Sequence, residues 1–426
     1  MSKRLGSAKT GWAAVASLSL VLAGCATGSG GDSSESSATG ESASSTSGAG
    51  VVTVWHYSTD ESQLGILEDY KAIFEAAYEG VEVENVYVPY DQMLPKLVTA
   101  ASSSNGPDVV VFNSGDTPTL ALGGTLATLD EQWASYGDAD QYPQSLQRSL
   151  DGNLYAVQGY VNLLGLWYNA DILDELGVEP PTTMDELDSA LGTAVDAGYG
   201  GITLTGIPNG QAEWQAYPWL TAFGWDYADP QRQSLVDAYS LASDWVASGK
   251  LSAEAVTWDQ TVPMQEFVAG GIAFAENGNW QSGEAANASF TVGVVPLPVG
   301  ESGGVYLGGE AVAVGAFAQN PEMAWNYMTS TYLSAEGQLI AMRAVGSIPA
   351  RADVASDPEV SSNPVISAFA ETVAKSGHAY PSEVVPAAAA QELALEAGAI
   401  WSAVIGGQLS PEEAADAKLA LVERLW

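Results

Sequence analysis

Residues 51–57 form a short run of β-favouring side chains, after which the spacing of apolar positions changes. Over 58–79, Leu64, Leu67, Ile73, Phe74 and Ala77 recur at helical intervals; Ser58 or Thr59 is placed to cap this helix, and Asp60 and Glu61 favour its first turn. Residues 81–88 return to a strand pattern, and 91–102 suit a second helix. The breakers Asn105-Gly106-Pro107 then precede 108–112, a continuous apolar run of the kind buried in a parallel sheet. The opening is therefore β-α-β-α-β. Open sheets of this sort bind ligands beyond the carboxyl ends of their strands, which directs attention to Trp55-His56-Tyr57 and to Asn113-Ser114-Gly115-Asp116.

A second series starts at Leu154-Tyr155-Ala156-Val157 and continues through 163–169. Pro180-Pro181-Thr182 makes a turn, and Thr183 with Glu186 three residues on reads as a capping box that opens another helix. Residues 270–280 read as a strand ending in a tight loop, 292–298 as another strand, and the glycine-rich stretch 303–309 precedes a strand at 311–314. Ser410-Pro411-Glu412-Glu413 caps a terminal helix, with Pro at its first position. No internal repeat is found.

The N-terminus follows a different pattern. Lys3, Arg4 and Lys9 precede a mostly apolar stretch of 13 residues, 11–23, which has the length and flanks of a secretory signal and is too short to span a membrane. Leu22-Ala23-Gly24-Cys25 resembles the bacterial lipobox, in which the Cys is acylated and the chain is cut just before it; an ordinary signal peptide with a chance Cys is the alternative. Residues 26–50 are all Ala, Gly, Ser, Thr, Asp or Glu, with no apolar bulk to offset the entropy of ordering the chain. They read as a tether with a root-mean-square reach of roughly 25 to 30 Å.

Charge narrows the partners. With 13 Lys+Arg against 52 Asp+Glu the formal charge is −39, which argues against nucleic acid and anionic membrane surfaces. Because 46% of residues are apolar and only 15% charged, the chain is globular with an acidic surface. At 426 residues it exceeds one core, so two domains are expected. One Cys permits no internal disulfide and two His cannot build a His-rich zinc site. Oxygen-ligated cations such as calcium stay open, although their usual loop signature is absent.

The order of several short motifs resembles the family 1 extracellular solute-binding proteins, the maltose-binding-protein-like receptors of ABC importers. They are Gly106 to Phe112 (GPDVVVF), Leu166-Trp167-Tyr168-Asn169 with Asp171-Ile172-Leu173, Pro180 to Leu187 (PPTTMDEL), Asn277-Gly278-Asn279-Trp280, Val294 to Pro298 (VVPLP), Gly308-Gly309, Ala324-Trp325-Asn326-Tyr327, and Gly346 to Arg351 (GSIPAR). The resemblance implies an α/β, two-lobed periplasmic-binding-protein-like (type II) fold with a hinge and an interlobe cleft. The expected organisation is a lipoprotein signal peptide at 1–24, a lipidated Cys and Ser/Gly-rich tether at 25–50, lobe 1 at 51–158 plus 300–347, and lobe 2 at 159–299 plus 348–426. Crossings between lobes are expected near 158–161, 298–304 and 346–349. Family members carry no ATPase, and no G-x-x-x-x-G-K-[ST] motif is present.

Sugars present apolar C–H faces and a rim of hydroxyls, so a sugar cleft pairs aromatic faces with planar polar groups. Trp214, Trp219 and Trp225 crowd 209–227 at spacings that fit no single helix face, which suggests a loop or broken-helix platform; packing between helices is the alternative for each. Comparison with the family favours Trp214 and Trp280 as stacking rings, and Tyr160 and Asn162 as contacts at the first crossing, with Asn162 where relatives often carry a carboxylate. His56 and Asp116 sit at the ligand edge of the first sheet, against the alternatives of a packed histidine and a helix-capping aspartate. Glu310 and Arg343 complete the set, although Arg343 has a surface ion pair as its competing role. Trp167, Trp245, Trp325 and Trp401 read as core.

These features predict a non-enzymatic receptor for a sugar or oligosaccharide, anchored by lipid at Cys25 to the outer face of the cytoplasmic membrane. It is expected to be a monomer that passes its solute to an ABC permease and ATPase, and to need no cofactor, no metal and no catalytic residue. The competing readings are a receptor for a non-sugar solute such as a polyamine, and an exported glycoside hydrolase. Cleft composition separates the first two: carboxylates facing each other across the cleft favour a cation, whereas aromatic platforms among mixed Asn, Asp and Arg favour sugar.

Overall fold

A computed structural model describes residues 50–301, 303–382 and 384–426, which all belong to one compact unit. The signal peptide, the lipobox with Cys25 and the tether up to residue 49 lie outside the described residues. In chain order the strands are β1 (Gly50–His56), β2 (Val81–Tyr87), β3 (Val109–Asn113), β4 (Gln147–Leu150), β5 (Asn153–Gln158), β6 (Tyr160–Val161) and β7 (Leu164–Asn169). They continue as β8 (Gly200–Thr203), β9 (Ile272–Gly278), β10 (Val292–Val295), β11 (Val305–Leu307), β12 (Glu310–Val314), β13 (Ile348–Pro349) and β14 (Gly377–Ala379).

Two sheets organise the chain into two bodies. The first has the order β2-β1-β3-β12-β5-β4 and the second the order β10-β7-β9-β8. In the first sheet β1 runs parallel to β2 and β3, while β12 runs antiparallel to β3 and β5. The apolar run in β3 is buried on both faces: Val109 and Val111 join one cluster with Phe74 and Tyr327, and Val110 and Phe112 join another with Met93 and Leu120. A period of two sends alternate side chains to opposite faces, so only a run without polar interruptions can occupy a strand covered on both sides.

Local signals mostly act where they stand. Thr183 and Glu186 form the capping box of helix Met184–Asp196, and Ser410 and Glu413 that of helix Pro411–Leu425. The first helix, Glu61–Ala77, starts later than its apolar spacing suggests, because Asp60 and not Ser58 or Thr59 caps it, accepting from the Gln63 N–H at 2.9 Å. A carboxylate complements the positive end of a helix with a full charge, which a hydroxyl lacks.

The links between bodies depart in one place from expectation. β6 and β13 pair antiparallel, bringing the first and third crossings side by side. The second crossing falls later than 298–304: β11 pairs with β14, and Val305 and Tyr306 belong to the core of the second body. The step into the first sheet comes at Gly308, which bridges Asn162, just before β12. Residues 303–307 therefore pack with the second body, whereas the boundary expected at 300 assigns them to the first. Their side chains, not their glycines, decide this, since Tyr306 stacks on Tyr217 at 3.5 Å between centroids.

Candidate ligand-binding cleft

Strand direction places the ends of several elements on one edge. Tyr57 follows β1 and Asn113 ends β3; because β12 is antiparallel, its first residue, Glu310, lies in register with Asn113 at the same edge. In the second sheet Leu164 at the start of β7 is in register with Gly278 at the end of β9, so Asn162 and Trp280 flank a common edge. Between these edges lies a cavity of ≈ 370 Å³. Tyr57, Asp60, Tyr90, Asp91, Asn113 and Glu310 line it from the first body; Asn209, Gln211, Trp214, Asp259, Gln260 and Trp280 line it from the second. Tyr380 and Asn162 complete the wall.

Of the residues singled out from the sequence, Asn162, Trp214, Trp280 and Glu310 line the cavity. Glu310 accepts from Tyr57 Oη at 3.1 Å and from Asn162 Nδ2 at 3.0 Å. Burial raises its pKa, and hydrogen bonds from Tyr160 and Tyr57 partly offset that rise. Asn162 in turn accepts from Asn279 Nδ2 at 2.9 Å, and the Asn279 side chain also accepts from the Leu163 N–H at 2.8 Å and donates to the Gly346 carbonyl at 3.0 Å. One buried asparagine thus ties the first crossing, the end of β9 and the third crossing together.

Trp214 is held by its neighbours. Its ring meets Tyr380 edge-on at 4.6 Å and Tyr306 at 5.5 Å. Trp280 lies over its own strand end, where a Cβ on Gly278 would stand 1.9 Å from its ring; only glycine allows the fold-back. The helix Gly210–Ala222 carries Trp214 and continues through Pro218, capped by Asn209. Segment 209–227 is thus not a loop platform. Trp219 and Trp225 are core, Trp219 donating to Glu276 Oε2 at 2.8 Å. Trp167, Trp245 and Trp401 are also buried, and Trp325 is half-buried against the first core.

Four sequence candidates fall elsewhere. His56 is buried, 6.2 Å from the Tyr87 ring, and its Nδ1 has no partner; strand alternation turns it inward and leaves Tyr57, the next residue, facing the cavity. Tyr160 is buried behind Glu310 and acts on the cavity through that carboxylate. Asp116 is half-buried behind the wall, with burial raising its pKa to about 7. Arg343 is exposed and forms a bidentate pair with Glu359 at 2.7 and 2.9 Å, so it is a surface cation and not a cleft residue. The residues that reading missed, Tyr90, Asp91, Asn209, Gln211, Asp259, Gln260 and Tyr380, sit on turns and helix starts. Only the Asn113 and Tyr57 positions carried a signal, as ends of β-runs.

Comparison with known proteins follows the same geometry. The maltotriose-binding protein of Pyrococcus abyssi is 23% identical over 384 residues, 84% of this chain and 77% of that protein. The melibiose/raffinose/stachyose-binding protein MelE of Bacillus subtilis is 23% identical over 64% of this chain and 67% of its own length. Among solved structures, the GacH receptor of Streptomyces glaucescens, determined unliganded and with acarbose, matches with a TM-score of 0.77 at 25% identity over 88% of this chain and 98% of that one. Maltose-bound MalE3 of T. maritima matches with a TM-score of 0.79 at 20% identity over 88% of this chain and 100% of that one. The architecture is the two-lobed type II fold of these receptors. With residues 69–368 matched by the family model for bacterial extracellular solute-binding proteins, the chain belongs to that family.

Proposed function

We propose that this protein is the substrate-binding subunit of an ABC-type importer for a sugar or oligosaccharide, trapping its solute as the two bodies close and delivering it to a membrane permease and its ATPase. The observation that carries this reading is the pairing, in one cavity, of the Trp214 and Trp280 rings with the amides of Asn113, Asn209, Gln211 and Gln260. Aromatic faces cover sugar C–H surfaces while amides donate to and accept from hydroxyls. Relatives named for maltotriose and for melibiose, raffinose and stachyose support the solute class. Stronger binding to the closed than to the open arrangement supplies the driving force for closure.

The protein acts as a monomeric receptor without catalysis, tethered through acylated Cys25 to the outer face of the cytoplasmic membrane. Isothermal titration against mono- and oligosaccharides tests the reading. A saccharide that binds the parent and binds Trp214→Ala or Trp280→Ala at least about tenfold more weakly supports it. Failure of every saccharide, alongside binding of an unrelated solute, would overturn it. Incubation with chromogenic glycosides is expected to release no product.

A further inference from the structure

The charge of the cavity wall carries information that its aromatic rings do not. Among the described residues, four carboxylates line the cavity, Asp60, Asp91, Asp259 and Glu310, and no Lys, Arg or His does. Three stand on the first body, and Asp259 stands on the second, in the turn ahead of helix Val262–Val268. Two of them have structural duties as well, Asp60 Oδ1 capping Gln63 and Asp259 Oδ1 accepting from the Thr261 N–H. Glu310 and Asp91 cap nothing, and Glu310 receives only neutral donors, Tyr57, Tyr160 and Asn162.

Closing the bodies over a neutral sugar removes water from these carboxylates and returns no positive charge, and burying an unpaired charge is costly. Burial already raises the pKa of Glu310 and of Asp60. Beside these carboxylates stand the Trp214 and Trp280 rings, Trp214 lining the cavity with 5% of its surface exposed. An aliphatic polyamine would satisfy the charge but, having only donors when protonated, offers no acceptor to the amide N–H groups of Asn113, Asn209, Gln211 and Gln260. Resting on the sugar reading above, we infer that the solute is a cationic saccharide, a sugar bearing a protonated amine that is received by Glu310 and Asp91 while its ring packs on the tryptophans. Tyr57 and Tyr90, edge-to-face at 5.3 Å, add π-faces that attract the same charge.

Three β-1,4 disaccharides that differ only at C2 test this by titration calorimetry: the glucosamine dimer with free amines, its N,N′-diacetyl form and cellobiose. Maltotriose and spermidine complete the panel. The expected result is that the free-amine dimer binds at least about tenfold tighter than any neutral saccharide. That preference should shrink with added salt and fall in both Glu310→Gln and the exposed-site variant Asp91→Asn. A neutral saccharide that binds as tightly as the amine form, or a preference unchanged in both variants, would overturn the inference and leave the sugar reading standing. Spermidine binding with no saccharide bound would instead overturn the sugar reading.

Discussion

A Cβ on Gly308 would stand 2.2 Å from Cη2 of Trp214, so the tip of the candidate stacking ring occupies the space that any other residue would fill. Gly308 also exchanges backbone hydrogen bonds with Asn162 at 2.8 and 2.9 Å, which prevents the strand from moving aside. Gly308→Ala is expected to push Trp214 from its place. Overpacking of this kind costs ~1–3 kcal/mol, and saccharide affinity should fall by about tenfold or more, as it would for a displaced ring. Titration calorimetry beside a thermal melt separates the two effects; unchanged affinity would show that Trp214 makes no contact with the solute.

Asn279 is buried and holds three partners from three segments. In Asn279→Ala the Leu163 N–H loses its acceptor, and a buried group left without one costs ~1–3 kcal/mol. A lower urea midpoint is the expected result, with Asn279→Asp recovering the acceptor and losing the two donations.

Lys418 is buried and donates to Tyr227 Oη at 2.9 Å, while Glu213 Oε1 accepts from Tyr227 and Tyr306. Burial pushes Lys418 down to about 8 and Glu213 up, and each charge partly offsets the other's shift. Removing one member strands the other in a dry interior, at a cost of ~3–5 kcal/mol. Lys418→Met should therefore destabilise strongly, and the double variant with Glu213→Gln should regain much of the loss in a denaturation cycle. The same effect of Glu213→Gln in the parent and in the Lys418→Met background would show the two groups to be independent.

Asp116 sets a pH dependence. Burial raises its carboxyl from 3.8 to about 7. Between those values the folded protein holds a proton that the unfolded chain has released, so the stability contributed by this group is full below pH 3.8 and is lost as pH rises through about 7. Relative to the parent, Asp116→Asn should gain thermal stability progressively from pH 4 to pH 8. A constant difference across that range would rule out the raised value.

Cys25→Ser tests the anchor. The parent expressed with its native N-terminus is expected in the detergent phase on partitioning, and the variant in the aqueous phase, since stable attachment needs the acyl chains.

Local signals are legible in the chain itself. The two capping boxes, the apolar β3 run and the strand pattern of β2 each depend on residues a few positions apart, so sequence order alone carries them. Their arrangement in two bodies followed from the order of short family motifs. Cleft membership was half legible, and the misses have one physical cause. Whether Trp214 or Trp219 faces the cavity depends on what packs against each, and the partners, Tyr380 for one and Glu276 for the other, lie 166 and 57 residues away.

The sequence by itself determined the elements, the acidic charge and the two-body plan, because hydrophobic period, caps and length act locally or in bulk. Tertiary structure alone decided that His56 turns inward while Tyr57 faces the cavity, that Arg343 is held in a surface pair, and that 303–307 joins the second body. It also decided that the wall gathers four carboxylates and no cation. A charge count over the chain cannot reveal that concentration, because the four come from segments up to 250 positions apart and meet only where antiparallel β12 brings Glu310 to the edge that Tyr57 and Asp60 already occupy.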